Sequence, residues 1–162
     1  MELKTADLCD THSDHLQIAS PGLHDYGGKP RFYGRVVTLK VFEDNSLVRE
    51  LLARDGRDQV LVIDGGGSLR CALLGDLLAA KAVKNGWSGI IVNGCIRDSA
   101  DIAAMPLGVK ALATHPLKSV KKGVGDIDLP VTFAGVTFHP GDYVYADEDG
   151  VIVSAAPLLG TA

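Results

Sequence analysis

The sequence predicts an α/β fold, a three-layer β/β/α domain with a mixed central sheet, and three observations carry that prediction. Two continuous apolar runs, residues 60–63 and 90–92, read as strands covered on both faces. Between them, residues 77–83 have helical spacing and stop at Asn85-Gly86, so the three segments form a β-α-β unit. The last third changes character: residues 131–138, 143–146 and 151–154 are strand-like, separated by Pro140-Gly141 and Asp149-Gly150 turns. Helices are then expected on one side of the sheet and a second, antiparallel β layer on the other.

The remaining elements follow in chain order. A short helix is expected in the first ten residues, with Thr5 and Asp7 able to cap it and Leu8 making its apolar contact. Residues 34–42 alternate as a half-buried strand, with Val37, Leu39 and Val41 on the core face and Val36, Thr38, Lys40 and Phe42 on the other. Asp44-Asn45-Ser46 is an N-cap cluster for a helix carrying Leu47, Val48, Leu51 and Leu52 to about Ala53, which Asp55-Gly56 ends. Asp98 or Ser99 caps a short helix through Ala104, and residues 109–113 form a third core strand. No repeat, low-complexity tract or linker divides the chain, so 1–162 reads as one domain.

Composition narrows the function classes. The 162 residues are 46% hydrophobic and 22% charged, with a formal net charge of -4 and a pI near 5.6. That balance lacks the diffuse positive field that non-specific nucleic-acid binding and anionic membranes require. The basic cluster Lys118, Lys121 and Lys122 reads as a solvated loop. No apolar run reaches the about 18 residues of a membrane span, and the N-terminus lacks the pattern of a signal peptide, which predicts a cytoplasmic protein. Cys9, Cys71 and Cys95 form no C-x-x-C pair, consistent with reduced thiols, and structural zinc is not expected. Cys95 reads as a small buried residue beside a turn glycine, with a reactive thiol as the alternative. The five histidines are scattered and suggest no metal cluster.

The chemistry is expected past the strand ends, where loops diverge and ligands gather. Gly65-Gly66-Gly67 is neither a Walker motif nor a dinucleotide fingerprint; it reads as a tight turn or as a place where a small ligand approaches the backbone. Gly75 is a plausible helix N-cap, so the amides of Asp76, Leu77 and Leu78 are candidate anion donors. Arg97 could close on the same anion with its two-pronged guanidinium, and Asp98 is a hard oxygen ligand suited to Mg²⁺ or Mn²⁺. The competing reading makes Arg97-Asp98 a strand-end salt bridge and Asp76 a carboxylate stabilised by its own helix dipole. No G-x-S-x-G elbow supports covalent hydrolase chemistry.

Here the sequence closely resembles the regulator of ribonuclease activity A (RraA)-like family, whose members include divalent-metal-dependent 4-hydroxy-4-methyl-2-oxoglutarate aldolases. The resemblance runs through Asp7-Leu8-Cys9-Asp10, Tyr26-Gly27-Gly28, Phe42-Glu43-Asp44-Asn45, the stretch from Val62 to Arg70, Gly94-Cys95-Ile96-Arg97-Asp98, Gly135-Val136-Thr137-Phe138 and Tyr145-Ala146-Asp147. The aldolase branch is marked by an aspartate, twenty intervening residues and an Arg-Asp pair, and Asp76, Arg97 and Asp98 match it.

The resemblance implies a swivelling β/β/α (phosphohistidine-domain-like) fold and a homotrimer with sites near subunit interfaces. It also implies roles: Gly75, Asp76, Leu77, Leu78 and Arg97 bind the pyruvyl substrate, Asp98 anchors the metal, and Asp76 orders water beside it. The expected reaction is retro-aldol cleavage of a 4-hydroxy-2-oxo acid, with oxaloacetate decarboxylation as a related activity. The alternative from the same family is a regulator that binds ribonuclease E or an RNA helicase without contacting RNA. Larger aldolases carry a C-terminal extension reaching a neighbouring site, whereas this chain stops at Ala162. A methyltransferase label attached to such proteins finds no S-adenosylmethionine signature here.

Overall fold

The computed structural model describes residues 2–159. Helix α1 (Thr5–His12) and a single 3-10 turn lead to strands β1 (Leu16–Ile18), β2 (His24–Asp25) and β3 (Phe32–Lys40). The centre runs α2 (Ser46–Leu52), β4 (Gln59–Asp64), β5 (Ala72–Leu74), α3 (Asp76–Lys84), β6 (Gly89–Ile96), α4 (Ser99–Ala103) and β7 (Gly108–Thr114). The chain closes with β8 (Asp126–Ile127), β9 (Val131–Phe133), β10 (Val136–Phe138), β11 (Tyr143–Ala146) and β12 (Val151–Ser154).

The protein is α/β with a mixed central sheet, in the order β1-β12-β11-β3-β4-β6-β7-β2. Strands β3, β4, β6 and β7 are mutually parallel, joined by helical crossovers, while β11 and β12 extend the sheet antiparallel. Alternation along β4 shows why the apolar run was needed. Leu61 and Ile63 pack with Val48, Leu51 and Leu52 of α2 and Ala79 and Ala82 of α3. Val60 and Val62 face the opposite way, onto Val131, Phe133, Val136 and Phe138 of the β9-β10 hairpin. Each such aliphatic side chain contributes roughly 1.5–3 kcal/mol of burial, so both faces of the sheet are stabilised along its length.

Several expectations need correcting. Strand β3 is not open on the side expected: Val36 and Thr38 are enclosed together with Leu39, because the hairpin covers that side, while Val37 is half-buried and Tyr33, Arg35 and Lys40 are exposed. The Thr38 hydroxyl tolerates this by donating to the Leu129 carbonyl at 2.6 Å. Residues 131–138 are two strands, since Ala134 and Gly135 both adopt positive φ and reverse the chain. Thr5 does not cap α1; its amide and hydroxyl both donate to the Asp147 carboxylate, tying the N-terminus to the β11-β12 turn. At the N-terminal end of β6 the lone tryptophan, Trp87, is 4% exposed, packs over Gly56 and donates its indole N–H to the Arg54 carbonyl.

Asp44 fixes the loop that follows β7. Its carboxylate accepts from the Ser46 amide and hydroxyl and from the Lys122 and Val124 amides. Burial alone would raise its pKa, but those donors outweigh it and hold the group at about 2. A depressed carboxylate pKa contributes stability that is complete above the ordinary carboxylate range and is lost as pH falls through about 2. Asp44→Ala leaves four donors to find water, so a loss of about 1–3 kcal/mol is expected by urea titration at pH 7. The deficit relative to wild type should shrink progressively below pH 4.

Candidate active site

Twenty residues separate Asp76 from Arg97, and β-pairing removes that separation in space. The short strand β5 runs parallel to the end of β6, with Leu74 opposite Ile96, and the Arg97 amide donates to the Leu74 carbonyl at 2.8 Å. Gly75 and the Arg97-Asp98 pair therefore emerge side by side at the carboxyl ends of two strands. An extra Cβ on Gly75 would lie 2.9 Å from Asp98 Oδ2 and 3.4 Å from Arg97 Nε. The glycine is needed for this approach rather than for its own backbone, whose φ of -128° any residue adopts. Gly75→Ala is expected to keep the fold yet displace both side chains, lowering kcat/KM about tenfold to a hundredfold. A thermal melt alongside the kinetics separates the two effects.

Gly75 is the N-cap of α3, and Asp76, Leu77 and Leu78 supply its first amides. Two of those amides already have partners: the Asp76 N–H donates to Asp98 Oδ2 at 3.0 Å, and the Leu77 N–H to Asp76 Oδ1 at 2.8 Å. Among the described residues the Leu78 N–H has none, so it is the donor open to an incoming anion. Asp98 does not cap α4 with its side chain; it stands at that helix's N-cap in the left-handed region, φ 56°, which turns its carboxylate back toward α3. Asparagine and aspartate tolerate this conformation best.

These six residues share a cleft of about 320 Å³ with Asn45, Arg49, Lys81, Lys118 and Lys121, which sequence reading did not assign to a site. The strand-end salt bridge does not form: among the described residues Arg97 makes no ion pair. Part of the competing reading does hold, since one oxygen of Asp76 accepts from the Leu77 amide in the first turn of its own helix. Its Oδ2 keeps no hydrogen-bond partner among the described residues. Asn45 donates its amide Nδ2–H to the Leu73 carbonyl, and its Oδ1 is shielded from solvent with no partner.

Other candidates fall away or change place. Gly66 and Gly67, at φ 67° and 73°, form a tight turn whose Gly65 and Gly67 amides donate to the Asn93 carbonyl, outside the cleft. Cys95 is buried and burial pushes its thiol pKa up, the opposite of an activated nucleophile. Lys118 and Lys121, expected in a solvated loop, border the cleft; Lys122 does not.

A divalent ion fits this donor set. Asp98 has one oxygen uncommitted, Asp76 has another, and Asn45 Oδ1 is an orphaned acceptor in the same wall. All are hard oxygens, and among the described residues no group of three or more His, Cys, Asp or Glu is placed to enclose a metal ion. That pattern suits Mg²⁺ or Mn²⁺, which keep several waters, better than a softer metal enclosed by protein.

The family model described as Aldolase/RraA, RraA-like, matches residues 5–153. A protein of Laribacter hongkongensis named "Putative 4-hydroxy-4-methyl-2-oxoglutarate aldolase" is 65% identical over 98% of this chain and 100% of its own. Two solved structures are also similar. One, from Geobacillus kaustophilus and named an S-adenosylmethionine: 2-dimethylmenaquinone methyltransferase, is 52% identical with a TM-score of 0.96, covering 99% of both chains. The other, the RNA-processing inhibitor RraA from Thermus thermophilis, is 45% identical with a TM-score of 0.94, covering 99% of this chain and 98% of that one.

Proposed function

Because the chain belongs to the RraA-like family, we propose that it is a 4-hydroxy-4-methyl-2-oxoglutarate aldolase that uses a divalent metal and also decarboxylates oxaloacetate. The observation that carries this reading is the junction in one cleft of Arg97 and the Leu78 amide, neither with a partner among the described residues, and the Asp76 and Asp98 carboxylates. Asp98 would hold a divalent ion such as Mg²⁺ or Mn²⁺, which would supply Lewis acidity to the 2-oxo acid.

The chain's own groups do the rest. Arg97 grips the carboxylate beside the keto group through its planar fork, and the Leu78 N–H adds a fixed dipole at the N-terminus of α3. Cleavage transfers the 4-hydroxyl proton away as the C3–C4 bond breaks, leaving pyruvate as its enolate. Asp76 Oδ2 accepts that proton through a water and returns it to C3. No lysine Schiff base is needed. Decarboxylation of oxaloacetate breaks the equivalent C3–C4 bond, releases CO2 and leaves the same enolate, which takes up a proton at C3. A homotrimer of swivelling β/β/α domains forms part of the proposal.

Pyruvate release from 4-hydroxy-4-methyl-2-oxoglutarate and from oxaloacetate tests this reading. Activity in Mg²⁺ or Mn²⁺ that EDTA removes, and added metal restores, is expected. Release indifferent to EDTA would overturn the metal assignment, and none with either substrate would overturn the enzyme reading. Likeness to the Thermus RNA-processing inhibitor supports a second role, docking of this acidic protein on basic segments of ribonuclease E or an RNA helicase. Such docking should survive Arg97→Ala in a pull-down at physiological salt.

A further inference from the structure

The sheet face that carries the β9-β10 hairpin holds one charged side chain in a row of apolar ones. Lys110 of β7 stands in register with Ile91 of β6, which lies beside Val62 and packs against that hairpin. Yet Lys110 is only 2% exposed. Taking an ammonium out of water is costly, and an aliphatic residue in that row would bury without the cost. Its ion partner among the described residues is Asp25 Oδ1, at 3.1 Å, so a single carboxylate serves a group with three donors.

Lys110 lines a chamber of about 230 Å³ together with Ser20, Gly22, Glu148, Asp149 and Gly150. The two backbone segments that build it are pinned. The Ala19 amide donates to the Val151 carbonyl at 2.9 Å, and the Ser20 amide to the Ala134 carbonyl at 2.8 Å. On the other segment the buried Asp147 carboxylate accepts from the Asp149 and Gly150 amides and is itself tied to Thr5. Fixed walls lose little freedom when the chamber is filled.

The charges select the ligand. Lys110 offers donors to a carboxylate, whereas the exposed Asp149 carboxylate has no side-chain partner among the described residues and Glu148 is held by Arg31. A phosphate or a dicarboxylate would meet like charge at Asp149, and a simple amine would meet it at Lys110. A zwitterion satisfies both ends without net charge. The chamber is also smaller than the roughly 300–1,000 Å³ of pockets that take drug-sized ligands, so its ligand is small.

We propose that this chamber is a second binding site, for a small free amino acid whose carboxylate meets Lys110 and whose ammonium meets Asp149. It shares no residue with the catalytic cleft and does not depend on the aldolase reading.

Ligand-observed NMR titrations of the full chain test it with L-alanine, propionate and ethylamine, the last two each lacking one charge of the first. L-Alanine is expected to bind with a Kd on the order of 1 mM or tighter, and the other two about tenfold or more weakly. Asp149→Asn, at an exposed position, should weaken L-alanine about tenfold and leave propionate unchanged. Lys110→Met keeps the stem's volume, removes the ammonium and should lose both L-alanine and propionate. Arg97→Ala should bind L-alanine as wild type does, because that arginine belongs to the cleft.

No L-alanine binding by wild type at about 10 mM would overturn the site, as would propionate binding as tightly as L-alanine. Unchanged L-alanine binding in Asp149→Asn, or its loss in Arg97→Ala, would overturn it too. Should Lys110→Met fail to fold, Asp149→Asn and the three ligands still decide.

Discussion

Arg97→Ala is expected to lower kcat/KM for 4-hydroxy-4-methyl-2-oxoglutarate by about a hundredfold to a thousandfold, the loss typical of removing a principal anion-stabilising donor. The side chain makes no ion pair among the described residues, so its removal should leave the melting temperature near that of wild type. If Arg97 grips the substrate equally in ground and transition states, KM rises and kcat holds. If it also meets charge developing on the 2-oxo group, kcat falls as well. Arg97→Lys keeps the charge but loses the fork and should recover only part of the activity. Normal kinetics in the alanine variant would remove Arg97 from the site.

Asp98 requires a more careful substitution. Alanine at φ 56° would add strain of about 1–2 kcal/mol to the loss of the carboxylate, mixing fold with function. Asparagine tolerates the left-handed conformation and can still accept from the Asp76 amide, so Asp98→Asn isolates the charge. Metal-dependent turnover is expected to fall about a thousandfold or more, with weakened Mn²⁺ binding by calorimetry and an unchanged circular dichroism spectrum. Full activity at ordinary Mg²⁺ concentrations in the asparagine variant would show that Asp98 is not the anchor.

Asp76, Arg97 and Asp98 were legible in the sequence because each follows an apolar segment that ends in a turn, and the family resemblance supplied their roles. What brought them together was not legible. Strand β5 has three residues, too few to display a period of two, yet its pairing with β6 sets Gly75 against Arg97. Arg49 was hidden differently. It sits on the polar face of α2, where sequence patterning cannot separate a solvated residue from one facing a cleft. Lys118 joins through the bridge from Ala72 to its own backbone, a contact across 46 positions that local composition does not encode. The overall α/β class was readable from the strands, whereas burial of Val36 and Thr38 on β3 depended on a hairpin nearly a hundred residues away.

The position of Trp87 has a practical consequence. It is the single tryptophan of the chain, enclosed where β6 begins, while the cleft opens where β5 and β6 finish. Fluorescence excited at the indole band is therefore expected to report cooperative unfolding of the sheet, since Trp87 does not line the cleft. Its emission should shift to the red only when the whole sheet comes apart, which lets cleft variants be ranked for stability without a label while their ligands are present.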